Sequence, residues 1–331
     1  MPKIAILGAG SWGTALAIHC ARIPGQQVYL WGHRGEHIDN LITHRCNRRY
    51  LPNIGFPENL NPISNISLIN DCDMLLLAVP SSAFRETLKR ISPFFSHQDI
   101  GWAIKGFDDR SNDLLSHPFT QQFPGRNYAI IAGPSFAKEV AQGLPGAVTI
   151  AANTLDFAND YAAFMHHQSL RTYTTDDIIG VQIGGACKNI IAIAAGISDG
   201  LGFGANARAA IITRGLHEIS RIAERAGARR DTLMGLSGLG DLLLTCTDDL
   251  SRNRRFGYLL GQGKHIAPSL AAIGQTVEGY QSTGQAQYYA RQYDARTPII
   301  NTVADIIGEN ISVDEAIRKL LFHHPKHETG D

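Results

Sequence analysis

Residues 3–21 read Lys3-Ile-Ala-Ile-Leu7, then Gly8-Ala-Gly10-Ser-Trp-Gly13, then Thr14-Ala-Leu-Ala-Ile-His-Cys-Ala21, and this stretch decides the fold. An apolar run ends in a glycine loop, which opens into an alanine-rich helical pattern. The reading is strand, tight turn, helix. Gly8 permits the turn, Gly10 lets a pyrophosphate approach the backbone, and Gly13 lets the helix pack close to the strand. Ser11 and Trp12 lie inside the same loop. The helix N-terminus offers free N–H groups and the positive end of its dipole to phosphates. G-x-G-x-x-G alone is a weak signal. Placed straight after a strand and at the start of a helix, it favours a bound dinucleotide over a turn that serves packing only.

Working outward, Gln27–Trp31 reads as a second strand closed by Gly32-His33-Arg34. An NAD-selective domain usually carries an acid at this strand end to hold the ribose hydroxyls. Here the nearest, Glu36, comes later, and His33 and Arg34 are placed to face a 2′-phosphate. NADPH, alone or beside NADH, is therefore the expected cofactor, with Arg34 as a solvated loop charge the plainer alternative. Residues 45–63, rich in Pro, Asn and Arg, read as a long loop. Asp73–Val79 is apolar enough for the centre of a parallel sheet covered on both faces. Ile100–Lys105 looks like another strand, with Lys105 at its carboxyl end. Open α/β sheets bind ligands at that edge. Tyr128–Ala132 repeats the plan and ends in Gly133-Pro134-Ser135, with a helix from Phe136 that includes Ala137. Ala147–Ala151 and Leu170–Thr174 are later strand candidates.

From Asp177 onward no strand pattern is found. A long apolar helix is expected over Ile178–Ile197, and others over about Ala207–Ala226, Arg254–Gly261, Thr276–Tyr293, Thr297–Ile306 and Val313–Phe322. The expected architecture is an α/β, Rossmann-like doubly wound domain over residues 1–177 and an all-α domain over 178–322, with a cleft between them. The tail, 323–331, reads as mobile, and His323, His324 and His327 in it as solvated rather than metal-binding.

The totals narrow the function. The chain has 331 residues, 44% of them apolar, with 30 basic against 30 acidic side chains. A balanced charge gives no electrostatic case for nucleic acid or an anionic membrane surface. No run of eighteen apolar residues occurs, so no membrane-spanning helix is expected. No export signal is read at the N-terminus. The five cysteines (Cys20, Cys46, Cys72, Cys187, Cys246) are scattered and odd in number, which fits a reducing cytoplasm. No paired Cys/His spacing or H-E-x-x-H points to a metal.

Three places can carry chemistry. Lys188 lies in Gly184-Gly-Ala-Cys-Lys188-Asn189-Ile-Ile-Ala, where a cation is costly unless it is paired or its pKa falls. The plain alternative is a lysine whose amine snorkels to water. The two glycines one turn earlier allow close approach of backbone or ligand. Asp241, in Gly238-Leu-Gly-Asp241-Leu-Leu-Leu-Thr245, precedes an apolar run and needs a partner; it either caps its own helix or pairs with Lys188. Ser251-Arg252-Asn253-Arg254-Arg255 offers guanidinium forks and short polar groups, the tools for holding a phosphate, or else forms a solvated basic face. Gly235-Leu-Ser237-Gly-Leu-Gly240 is not a nucleophile elbow, which disfavours a serine hydrolase.

Together these motifs resemble the bacterial NAD(P)-dependent glycerol-3-phosphate dehydrogenases over nearly the whole chain. The match takes in Gly8-Ala-Gly10-Ser-Trp-Gly13, Trp31-Gly-His33, Lys105-Gly106, Gly133-Pro-Ser135-Phe-Ala137-Lys-Glu and Gly184-Gly-Ala-Cys-Lys188-Asn. It continues through Gly202-Phe-Gly-Ala-Asn206, Gly238-Leu-Gly-Asp241, Ser251-Arg-Asn253-Arg-Arg and Val277-Glu278-Gly. The resemblance implies Lys188 as general acid/base, and Lys105, Gly133, Ser135, Asp241, Thr245, Ser251, Arg252 and Asn253 around a triose phosphate. It implies Gly8, Gly10, Ser11, Trp12, Gly13, His33, Arg34, Lys105, Ala137, Arg252, Thr276 and Glu278 around NADPH or NADH. Trp12 stands where other aromatics are usual, and Ile104 where a small polar residue is common.

The implied reaction is reversible reduction of dihydroxyacetone phosphate to sn-glycerol 3-phosphate by a cytoplasmic homodimer that supplies a glycerophospholipid precursor. Two alternatives remain: a β-hydroxyacid dehydrogenase of similar layout, and a dinucleotide-sensing protein without turnover. Cys187 and Cys246, which adjoin Lys188 and Thr245, read as inert packing, with inhibitory oxidation as the alternative to test.

Overall fold

The computed structural model describes residues 1–316. In β1 (Lys3–Leu7), Ile4 and Ile6 face one way, Ala5 and Leu7 the other, and all four are buried. A strand apolar on both sides belongs at the centre of a covered sheet. Nine strands follow: β2 (Gln27–Trp31), β3 (Cys46–Asn47), β4 (Leu51–Gly55), β5 (Leu60–Ile63), β6 (Met74–Leu77), β7 (Asp99–Trp102), β8 (Ala129–Ala132), β9 (Gly146–Ala152) and β10 (Leu170–Thr175). Eight form one sheet in the order β10-β9-β8-β7-β6-β1-β2-β5, and β3 and β4 form a separate hairpin. All neighbours in the large sheet are parallel except β8 and β9. The chain steps from β1 to β2 on one side and to β6 on the other, so the crevice outside the carboxyl end of β1 is a topological switch point.

Six helices accompany the sheet: α1 (Ser11–Ala21), α2 (Gly35–His44), α3 (Phe84–Ile91), α4 (Ser116–Gln122), α5 (Ala137–Gln142) and α6 (Leu155–Ala163). Side chains of α1, α5 and α6 share one core with Ile4, Ile6, Val28 and Leu76. Those of α3 and α4 share another with Ala5, Leu7, Leu75 and Trp102. The sheet is therefore wound on both faces.

The second half is helical: α7 (Ile178–Gly200), α8 (Gly204–Arg225), α9 (Arg230–Met234), α10 (Asp241–Thr247), α11 (Arg252–Gly261), α12 (Ile266–Ile273), α13 (Glu278–Gln292) and α14 (Pro298–Ile307). Residues 313–316 are helical too; the rest of the helix expected over 313–322, and the tail with its histidines, lie outside the described residues. Helix α7 is the axle. It is long and apolar enough to cross a membrane by length and composition, but its apolar side chains are spent inside the protein. Gly196 and Gly200 on α7 meet Gly257 and Gly261 on α11. A Cβ at any of the four would collide with the other helix's backbone.

Residues 45–63 correct the sequence reading. They are not one long loop but the β3–β4 hairpin and the edge strand β5, which pairs with β2 from Val28↔Leu60 to Trp31↔Ile63. Three prolines masked them. Pro62 is tolerated because an edge strand has one side without ladder bonds. Asn59 ties this segment down by donating to the carbonyls of Ala21 and Gln26, each at 2.8 Å.

Candidate active site

Strand β7 ends at Trp102, and Lys105 sits in the loop beyond it rather than on the strand. That loop is held firmly. Asp108 takes two bonds from Arg85, at 2.6 and 2.8 Å, and two from Ser111, which keep its carboxyl down at about 2 although burial works the other way. Phe107 and Leu114 of the loop bury their side chains in the helical core. From the other side, the first turns of α7 lie on the sheet, with Val181 in its core. A Cβ at Gly185 would sit 3.4 Å from Lys105 Cγ, and one at Gly184 would sit 2.6 Å from Ser237 O. The glycine pair thus admits the lysine on one side and the 236–240 segment on the other. One turn later, α7 presents Lys188.

The 236–240 segment is a single π-turn, closed by Gly240 N–H donating to Gly235 O at 3.1 Å. Such turns often mark functional sites. This one delivers Asp241 to the start of α10. Of the two alternatives read for Asp241, the structure shows the pairing. Lys188 Nζ donates to Asp241 Oδ1 and, at 2.7 Å, to Thr245 Oγ1. Thr245 spends its own proton on Asp241 O, at 2.6 Å, so its oxygen is free to accept. Lys105 Nζ lies 2.6 Å from Asp241 Oδ2, near enough for an ion pair although off the hydrogen-bond direction, and donates to Gly133 O at 3.2 Å. Ser135 Oγ donates to the same carbonyl at 2.9 Å. Lys188 is 5% exposed and Asp241 1%, while the Lys105 side chain keeps 14% exposure, so one buried and one partly exposed amine share a single buried carboxylate. Burial pulls the Lys188 amine down to about 8; Asp241 opposes that shift and Lys105 adds to it.

Ser251, Arg252 and Asn253 open α11 beside this cluster. Ser251 is the N-cap, its Oγ accepting from Arg254 N–H at 3.2 Å. Asn253 is buried; it donates to Asn189 Oδ1 and accepts from Gly279 N–H, both at 2.9 Å. Asn189 in turn donates to Glu278 Oε2 at 3.3 Å. Arg252 is partly exposed, 3.5 Å from Gln275 Oε1, with Thr276 next along the chain. The five-residue basic cluster is not one phosphate grip, however. The Arg254 fork is occupied by Asp199 and Asp249, because helical periodicity turns it toward α7, and Arg255 is exposed.

At the switch point, Gly8 has φ +127°, and a Cβ there would strike Ala78 O; one at Gly13 would strike Gly8 O. Gly10 differs: a Cβ there would meet nothing within 4 Å, and no side chain caps α1. The loop is thus closed where packing needs it and open where a phosphate would lie. Trp12 is partly exposed beside it, as is Ala137 at the start of α5. His33 and Arg34 are exposed at the end of β2. Partial desolvation of its ring first, then the Arg34 and Arg90 charges, hold the imidazole of the largely exposed His33 below its ordinary range.

Comparison with known proteins adds identity. Residues 3–158 match the family profile described as NAD-dependent glycerol-3-phosphate dehydrogenase N-terminus, and residues 177–318 match its C-terminus. The chain belongs to the NAD-dependent glycerol-3-phosphate dehydrogenase family. It is 49% identical, over 99% of both chains, to glycerol-3-phosphate dehydrogenase [NAD(P)+] of Thioalkalivibrio sulfidiphilus, and 46% identical, over 98% of both, to that of Legionella pneumophila. The crystal structure of the Coxiella burnetii glycerol-3-phosphate dehydrogenase superposes with a TM-score of 0.94 at 44% identity, covering 97% of this chain and 99% of that one.

Two features of this glycerol-3-phosphate dehydrogenase family member escaped the sequence reading. The β3–β4 hairpin covers the glycine loop: Asn47 donates to Ala9 O at 3.1 Å and Thr14 Oγ1 at 2.8 Å, and Ser11 Oγ donates to Tyr50 O at 2.6 Å. The Asn189 amide links Asn253 to Glu278, and its place beside Lys188 was the one signal available. Cys187 and Cys246 are buried, and burial pushes both thiols up to about 12. Burial and the raised thiols both favour the inert-packing reading over oxidation.

Proposed function

We propose that this chain catalyses reversible reduction of dihydroxyacetone phosphate to sn-glycerol 3-phosphate with NAD(P)H, with Lys188 as proton donor and acceptor. The observation that carries the reading is the Lys188–Asp241–Thr245 arrangement. Two of the three ammonium protons are engaged by Asp241 and Thr245, which leaves one for a substrate oxygen. The dinucleotide fits the open cradle at Gly10, with Ser11, Trp12, His33, Arg34, Ala137, Thr276 and Glu278 as its further contacts. When bound, the reduced nicotinamide supplies the hydride that goes to the substrate's carbonyl carbon. The chain's own part is placement and a proton. Charge developing on the carbonyl oxygen is met by the Lys188 ammonium, which then protonates it. In the oxidative direction the neutral amine takes the hydroxyl proton. Lys105 holds the far oxygen of Asp241, so that the carboxylate orients Lys188 without neutralising the whole site.

Gly133 and Ser135 line the sheet side, and Ser251, Arg252 and Asn253 hold the phosphate, whose binding orients the reacting carbon. The exposed His33 and Arg34, with no acid at the strand end, favour NADPH. Assembly as a homodimer, residence in the cytoplasm and supply of a glycerophospholipid precursor complete the proposal; five free cysteines accord with the second.

The test is NADPH and NADH oxidation with dihydroxyacetone phosphate against keto acids. Turnover confined to keto acids would favour the β-hydroxyacid alternative, and none at all the sensor. In Lys188→Ala, turnover should fall by about a hundredfold or more while NADPH still binds.

A further inference from the structure

We propose that Asp199 and Arg254 form a positioning pair for the phosphate end of the substrate, acting through the first turn of α11 without touching the substrate. The proposal rests on the reading that Ser251, Arg252 and Asn253 hold that phosphate. Asp199, in the last turn of α7, is 7% exposed at its side chain, and Arg254 is 12% exposed. Arg254 Nε donates to Asp199 Oδ2 at 2.9 Å, and Nη2 lies 2.7 Å from the same oxygen. The other carboxylate oxygen accepts from Arg208 of α8 at 3.0 Å. Arg254 Nη1 also pairs with Asp249 in the segment that leads into α11.

The backbone of Arg254 is held as well. Its N–H is bound by Ser251 Oγ, and its carbonyl lies against Gly196, where any Cβ would collide with it. The first turn of α11 is thus fixed at side chain and main chain together, from α7, α8 and the preceding loop. Arg252 and Asn253 precede Arg254 by two residues and one. On a helix they cannot shift unless it shifts too. A displacement of about an ångström in groups that orient a substrate can cost up to a hundredfold in rate. The plain alternative is an ion pair that serves stability alone. It predicts no distinction between substrates with and without a phosphate.

Asp199→Asn and Arg254→Lys keep the side-chain shape, or the charge, while loosening the fork. Their kcat/KM should be measured on dihydroxyacetone phosphate and on unphosphorylated dihydroxyacetone, with NADPH affinity followed by fluorescence titration. Both variants are expected to lose about tenfold or more on the phosphorylated substrate, mainly through KM. Dihydroxyacetone turnover should stay near the wild-type level, and NADPH affinity should change less than the KM for the phosphorylated substrate, since Arg252 also borders the expected dinucleotide. An equal loss on both substrates, or none on either, overturns the proposal. If Asp199→Asn does not fold, Arg254→Lys carries the same comparison alone. Arg252→Ala separates the two levels of inference: if it too leaves the preference for the phosphorylated substrate intact, the phosphate reading is wrong and the pair falls with it.

Discussion

Lys188 shows how a single residue can be tuned by its neighbours. Its amine is lowered to about 8 by burial, with Asp241 raising it and Lys105 lowering it. A general acid must be protonated, so turnover in the reductive direction should fall as pH rises through about 8, and oxidative turnover should rise over the same range. The neighbours fix the sign of two further shifts. Asp241→Asn removes the group that favours the ammonium and should move both limbs to lower pH. Lys105→Met removes a repelling cation and should move them higher. Profiles of kcat against pH for the three proteins check this, and a limb that moves the other way in either variant would remove Lys188 as the titrating group. Thr245 belongs to the same argument. Thr245→Val keeps the shape but strips the acceptor at 2.7 Å, leaving an ammonium proton unsatisfied and misdirected, so turnover should fall more than NADPH affinity.

At the scale of elements, α7 and α11 carry the site by touching through glycine. Gly196 and Gly200 spaced four apart on one helix, and Gly257 and Gly261 on the other, let the backbones meet. Gly196→Ala pushes a methyl group into Arg254 O, so the helices must part. Overpacking of this kind costs about 1–3 kcal/mol, and a lower Tm with a raised KM for the phosphorylated substrate is the expected pair of effects. A lower Tm with unchanged KM would mean that α11 can yield without moving its first turn. The i, i+4 glycines were visible in the sequence, but their partner was not, since nothing local says which two helices will meet. Legibility differs among the other elements for similar reasons. The glycine loop after β1 was readable because the backbone itself demands those glycines. The β3–β4 hairpin and β5 were hidden because Pro52, Pro57 and Pro62 are loop residues by propensity; Pro57 does lie in the connection between β4 and β5, and only an edge position makes Pro52 and Pro62 strand-compatible. Lys188, Asp241 and the Ser251–Arg255 segment stood out as polar groups against apolar surroundings, whereas Asp199 did not, and the pairing of Arg254 with it was not readable because the two lie far apart in sequence.

The whole molecule joins a sheet half, with a core on each face, to a helical half with its own core, and two buried titrating groups, one in each half, report on how tightly the halves are coupled. His19, on α1 beneath the sheet, has its ring nitrogen on Met165 O at 2.7 Å, and burial lowers it to about 4. Glu218, on α8, accepts from Ile299 and Ile300 N–H at the start of α14, at 2.7 and 3.1 Å, yet burial still raises it to about 7. The unfolded chain takes up a proton at His19 below about 6.5 while the native protein does not, so this group withdraws stability as pH falls from about 6.5 to 4. Glu218 has the opposite sign. The native protein keeps its proton while the unfolded chain loses it above about 4.5, so stability is withdrawn as pH rises from about 4.5 to 7. Each effect amounts to about 3 kcal/mol over its window. If the two halves unfold as one unit, the slopes offset each other between about pH 4.5 and 6.5, and a single transition moves little with pH in that range. Glu218→Gln should then expose the His19 slope, its Tm rising steadily from pH 4.5 to 6.5. If the halves unfold separately, the wild-type protein itself will show two calorimetric transitions moving in opposite directions with pH. The site draws Lys105 from the sheet side and Lys188 and Asp241 from the helical side, so the single, pH-insensitive transition is the expected one. Its absence would mean that the cluster forms at a junction which opens well before either half unfolds.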